Sequence, residues 1–282
     1  MLILSRYRSY FISVAFSIPF LFVLWAQYYP WKTGFRLNAS AYYIQFHVQN
    51  TNIPDWHLKN VNLECQSQLC VNQFEGILKI NRGVLVSFQS ISKSKFEVRL
   101  EAQPNKTIGT LIDSSDEVLG QLPQKLLIEY HTTPMSKEGP VSFAVAGRFK
   151  VGKVIQARTS SGQSTITSGV LEVFGRPFKG RAPFRAIEYR LQPGESVTFG
   201  DCGKDCGIAT GVITSTEESM PLSISLQAKA IEARIKRFGS NHYSISPSLW
   251  DRLVSDPILQ AFGVIYLAMI PLLGWTAFSG RK

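Results

Sequence analysis

Tyr42-Tyr43-Ile44-Gln45-Phe46-His47-Val48 sets Tyr42, Ile44, Phe46 and Val48 at every second position. A period of two belongs to an extended strand with one face in a core and the other toward solvent. The same texture fills most of the middle of the chain. Segments 76–80, 84–88, 96–100, 126–130, 141–149, 154–157, 169–174, 184–191, 196–199 and 208–213 are short and rich in β-branched or aromatic residues, with turn residues between them. Asn81-Arg82-Gly83 reads as the turn of a hairpin joining 76–80 to 84–88, and Gln192-Pro193-Gly194-Glu195 as a second hairpin connector.

Residues 222–238 alternate with one slip of phase. Leu222, Ile224, Leu226, Ala228 and Ala230 share one parity, and Ile231, Ala233 and Ile235 take the other, which predicts a bulge at Ala230 and Ile231 or a helical last part. The best helix signal before residue 140 covers 113–120: Asp113 or a serine as cap, acidic residues in the first turn, Gly120 at the end. A dozen or more strands with few helices predict a mainly β fold, sandwich or jelly-roll-like, in one or two units. The loop-rich stretch 132–140 is where two units would divide.

Outward from this region, 30–255, lie two apolar runs. Tyr10 to Tyr29 and Pro257 to Gly280 contain no Asp, Glu, Lys or Arg. Each is long enough to cross a bilayer as a helix, so transmembrane helices are expected at 10–29 and 257–279, with all of 30–255 on one side of the membrane. The first is expected to be a retained signal anchor, because Leu24 stands at the upstream position of the one candidate cleavage site, near Ala26. Arg6 and Arg8 in tail 1–9, with Arg281 and Lys282 in tail 280–282, place both termini in the cytoplasm and the β-rich region outside it. A bacterial inner membrane with a periplasmic domain is the expected setting.

Aromatic residues mark the same boundaries: Trp25, Tyr28, Tyr29 and Trp31 at the outer end of the first run and Trp250 before the second sit where headgroups would be. Ser246 followed by Pro247 reads as the cap and first turn of a short helix leading into the second run. Ser9, Ser13 and Ser17 recur at helical spacing, a small-residue seam along which another helix can pack.

With Arg6, Arg8, Arg281 and Lys282 set aside, 26 of the 30 Lys and Arg face all 20 Asp and Glu, a net charge of +6 for the rest. An outward-facing basic region beside a membrane suits lipid headgroups, an acidic partner or an anionic envelope glycan, and this topology excludes nucleic acid. The basic residues concentrate at Arg176, Lys179, Arg181, Arg185 and Arg190, interleaved with Phe174, Phe178 and Phe184 and opposed by Glu188 alone. Guanidinium groups fork onto phosphates and carboxylates, so an anion or partner contact is expected there.

The four cysteines form two tight pairs, Cys65 with Cys70 and Cys202 with Cys206. An oxidising compartment turns such spacings into short-loop disulfides, whereas a four-thiolate zinc site normally repeats C-x2-C. No metal or cofactor is expected. His47, His57, His131 and His242 are scattered singly, and the carboxylates of Asp113, Asp116 and Glu117 lack the glycine and spacing of a calcium loop. Asp201, Lys204 and Asp205 read as a solvated turn at the second cysteine pair.

G-x-S-x-G, H-E-x-x-H and the phosphate-cradling glycine loops are all missing, so no catalytic residue is assigned. Anatomy then carries the functional expectation. Two anchors and almost nothing on the cytoplasmic side suit a non-catalytic structural or partner-binding subunit of a membrane or cell-envelope complex, working with other membrane proteins or as a homo-oligomer. The alternative is a membrane-tethered envelope enzyme or glycan-binding module, or an extracytoplasmic ligand sensor acting through a membrane partner.

Overall fold

The computed structural model describes residues 33–49, 54–65, 68–92, 95–131, 140–152, 166–175, 183–200, 207–215, 221–237 and 242–248, together with 250, 251, 254, 260, 261, 263–265 and 268. Residues 33–173 and 187–246 form one compact unit, and 1–32, 174–186 and 247–282 are assigned to the other.

The described residues hold seventeen strands. The first nine are β1 (Thr33–Ala41), β2 (Tyr43–Val48), β3 (Trp56–Cys65), β4 (Gln68–Ile80), β5 (Leu85–Ser92), β6 (Lys95–Glu101), β7 (Gly109–Asp113), β8 (Val118–Gln121) and β9 (Lys125–His131). After them come β10 (Val141–Val151), β11 (Ile166–Gly175), β12 (Phe184–Leu191), β13 (Ser196–Phe199), β14 (Ile208–Ser215), β15 (Leu222–Ala230), β16 (Ala233–Lys236) and β17 (Tyr243–Ile245). The expected mainly β architecture is therefore present, antiparallel and consistent with a β-sandwich-like fold.

Register gives the order of the strands. From one edge the ladder runs β8, β7, β4, β3, β9, β6, β5, β2 and then β10. It continues through β14 and β15 to β1, and β1 also pairs with β11. β10 is the hinge of this arrangement because one strand serves three neighbours. Residues 147–151 pair with β2, residues 141–148 with β14, and Lys150 and Val151 with β13. From β13 the ladder passes to β16 and β17.

Alternation explains the burial. Ile44, Phe46 and Val48 are buried while His47 between them is exposed. In β15 the alternation is unbroken from buried Leu222 to buried Ala230. The phase slip that follows marks a corner: Ile231 and Glu232 separate β15, paired with β1 and β14, from β16, paired with β13 and β17. Glu232 O accepts the amide of Gly200 there at 2.8 Å.

One apolar core runs through the unit, and its aromatic centre lies where β3, β5, β6, β9 and β10 meet. The Phe143 ring contacts those of Trp56, Phe88, Phe96 and Tyr130 at centroid distances of 5.0 to 6.1 Å, mostly edge to face. Phe46 and Phe149 stack at 4.7 Å. The Trp56 indole N–H donates to Ala144 O at 2.9 Å and so satisfies its polar edge within the core. These rings come from both sides of segment 132–139, which lies outside the described residues.

Three local expectations are corrected. Residues 113–120 are the turn and returning strand of a hairpin, not a helix. The Asp113 carboxylate accepts from the Ser114 amide at 2.7 Å and from the Ser115 hydroxyl at 3.3 Å, while the Asp113 amide donates to Glu117 O and the Asp116 amide to Asp113 O. Asp116 takes φ +63°, which Asp tolerates and a continuing helix does not, and the chain returns as β8. The cap residues of a helix and of an Asx turn are the same residues, so the local signal was shared.

Residues 76–80 and 84–88 are strands but do not close a hairpin. β4 pairs with β3 and β7, and β5 with β2 and β6. Asn81-Arg82-Gly83 instead carries the chain between partners: the Asn81 amide donates to Ile108 O and the Gly83 amide to Val48 O, each at 2.8 Å. The helix cap before the second apolar run is Ser248, not Ser246. The Asp251 amide donates to Ser248 Oγ at 3.1 Å and the Ser248 amide to Asp251 Oδ2 at 2.8 Å, a reciprocal capping box.

Among the described residues no helix is long and apolar enough to cross a membrane. The run 10–29 lies entirely outside them and 257–280 lies largely outside. In the second unit the described residues 250, 251, 254, 260, 261, 263–265 and 268 are helical.

Candidate functional site

The expected anion contact falls on a segment described only at its end. Arg185 and Arg190 are exposed on β12, with exposed Glu188 between them. Arg176, Lys179 and Arg181 lie outside the described residues. Of the interface aromatics, Trp250 is described and 72% exposed, whereas Trp25, Tyr28, Tyr29 and Trp31, like Ser9, Ser13 and Ser17, lie outside.

Cys65 closes β3 and is disulfide-bonded. Cys70 sits in β4, in the hairpin whose register pairs Cys65 with Gln68 and Leu63 with Val71, but its side chain is outside the description. Cys202 and Cys206 also lie outside. Among the described residues no group of three His, Cys, Asp or Glu is placed to hold a metal ion. His47, His57 and His242 are exposed on or beside separate strands.

The structure assembles two polar clusters that the sequence did not announce. On β6 and β9 the register sets Glu97 directly opposite Glu129, an arrangement that is unfavourable for two carboxylates alone. Lys95 resolves it. Its ammonium donates to Glu129 Oε1 at 2.7 Å and lies 3.9 Å from Glu97 Oε1, and Arg99 donates to Glu97 Oε2 at 2.9 Å. The hydrogen bond to Glu129 holds the Lys95 ammonium protonated above its ordinary range, with Glu97 and Glu64 adding to the effect. This cluster fastens strands, and its donors and acceptors are spent on one another.

The second cluster centres on Glu195, whose side chain is 1% exposed. It begins in the turn after β12. Gly194 adopts φ +91°, a conformation that favours glycine, and the Glu195 amide donates to Gln192 O at 3.2 Å. The chain thus turns so that the Glu195 carboxylate folds back: Oε2 accepts the Gln192 amide at 2.9 Å, and Oε1 accepts the hydroxyls of Tyr189 and Tyr243, each at 3.0 Å. The two phenols also touch each other, with their rings edge to face at 5.9 Å.

Desolvation is the largest cause raising both tyrosines above the ordinary phenol range; the Glu195 carboxylate adds to it. Both hydroxyls are therefore donors through neutral and mildly alkaline pH. The sequence showed the Pro-Gly turn but not that its closing glutamate bonds back into it. Tyr243, 48 residues further on, gave no signal.

Chemically, the first cluster pairs carboxylates with cations, and the second sets two phenol hydroxyls against one carboxylate. Apolar side chains are exposed on the β unit, at Val118 and Leu119 of β8, and among the C-terminal helical residues. Trp250, Val254, Val264 and Ile265 are 72%, 50%, 66% and 52% exposed within a stretch whose 257–280 portion has no charged side chain. No protein family, curated protein or solved structure matches the chain.

Proposed function

We propose that the protein is a non-catalytic structural or partner-binding subunit of a membrane or cell-envelope complex. The carrying observation is the exposed apolar helix residues Trp250, Val254, Val264 and Ile265, joined in sequence to a charge-free run as long as a bilayer is thick. In this account 10–29 and 257–279 are membrane helices and both termini are cytoplasmic. The sandwich or jelly-roll-like β region stands outside, in a bacterial periplasm. Cys65–Cys70 and Cys202–Cys206 are its disulfides, and Ser9, Ser13 and Ser17 pack against another helix.

Arg176, Lys179, Arg181, Arg185 and Arg190 supply the contact to an acidic partner, lipid headgroup or envelope glycan. The net basic charge of the chain supports that assignment, as does the exposure of Arg185 and Arg190. The partners are membrane lipid and other membrane proteins or further copies of the chain.

Affinity purification of the full chain from native membranes in mild detergent, followed by mass determination and identification of what co-purifies, tests this function. A defined oligomer or a stoichiometric membrane-protein partner is the expected result. Recovery as a lone monomer with no partner at any detergent strength would sink it.

A further inference from the structure

β17 is a weak strand by every measure the structure provides. It is three residues long, pairs with β16 through Ala233, Arg234 and Ile235, and of its side chains only Ile245 is buried. A strand of that length with one buried apolar residue frays unless something else ties it down. Tyr243 does so from within the strand. Its hydroxyl reaches the Glu195 carboxylate, which the Gln192 amide and the Tyr189 hydroxyl also hold.

Hydrogen bonds to a charged acceptor are about twice as strong as those of a neutral pair, and stronger still when the acceptor is buried. The acceptor here is almost wholly out of solvent, and no Lys or Arg pairs with it among the described residues. Glu195 therefore depends on its three donors, and β17 depends on one of them.

We infer that Tyr189, Glu195 and Tyr243 form a latch that sets the opening equilibrium of β17, the last strand before the chain passes into the 247–282 segment. The turn 192–195 is the fixed half of the latch. Gly194 and the bond from the Glu195 amide to Gln192 O set its shape, and Ser196 and Val197 continue directly into β13, which is paired on both sides by β10 and β16. Tyr243 is the moving half. When its bond to Glu195 breaks, β17 and the residues leading to Pro247 leave as one short piece, and the main ladder stays closed because β17 pairs with β16 alone among the described residues.

Hydrogen–deuterium exchange on the full chain in mild detergent tests this, comparing the native protein with Tyr243→Phe, which removes the hydroxyl and keeps the ring. Exchange in 243–246 and 233–236 is expected to rise about tenfold or more, with β1 and β15 unchanged. Tyr189→Phe, which leaves the Tyr243 bond in place, is expected to give a smaller rise at the same residues. No change in 243–246, or an equal rise across β1, β15 and β17, overturns the latch: the first makes the bond idle, and the second makes it an ordinary contributor to global stability.

Discussion

Tyr130 shows how a single polar atom is judged by its surroundings. Its ring stacks on Phe96 at 4.6 Å and meets Phe143 edge on, but its buried hydroxyl has no hydrogen-bond partner among the described residues. Desolvation raises this phenol well above the ordinary range. Removing an unsatisfied buried hydroxyl returns its desolvation cost, so Tyr130→Phe is expected to leave stability unchanged or raise it by about 1 kcal/mol in denaturant titration.

The sign of the pH effect follows. A phenol whose folded pKa lies above its unfolded value of about 10 contributes stability that is complete below that pH and declines as the unfolded chain begins to ionise above it. Tyr189 and Tyr243 act in the same direction. Thermal stability is therefore expected to be flat in phenol ionisation from pH 7 to 9 and to fall above about pH 10, less steeply in Tyr130→Phe. At this scale the sequence was legible where burial alternated, as at Ile44, Phe46 and Val48, and illegible where a polar atom's fate depended on distant chain, as at Tyr130, Glu195 and Tyr243.

At the scale of elements, strand existence was readable and strand pairing was not. Segments 184–191 and 196–199 begin and end as the alternation says, since β-branched and aromatic periodicity is a local property. Pairing is not local. Asn81-Arg82-Gly83 has the composition of a hairpin turn, yet the flanking strands take other neighbours: β3 and β7 occupy both edges of β4, and β2 and β6 both edges of β5. The Asp113 segment failed for a different reason: the carboxylate that caps a helix also builds an Asx turn. Asp113→Ala removes its bonds to the Ser114 amide and Ser115 hydroxyl and is expected to cost the β7–β8 hairpin about 1 kcal/mol, read as faster amide exchange at 110–121.

For the whole molecule, the β unit and the apolar ends pose different problems. The β unit declares itself through a core shared by strands from both halves of the region, and its stability belongs to that core. Among the C-terminal helical residues, Trp250, Val254, Val264 and Ile265 are exposed. Length and lack of charge in 10–29 and 257–280 were legible at once. The basic segment 176–190 was legible as charge, and Arg185 and Arg190 within it are exposed.

Alkaline carbonate extraction of native membranes, followed by detection of the full chain in pellet and supernatant, tests the membrane account most directly. High pH strips proteins held by charge and leaves those held by apolar spans. Full retention in the pellet, with release by detergent alone, is the predicted result; quantitative release into the supernatant while the membranes remain intact would contradict the account.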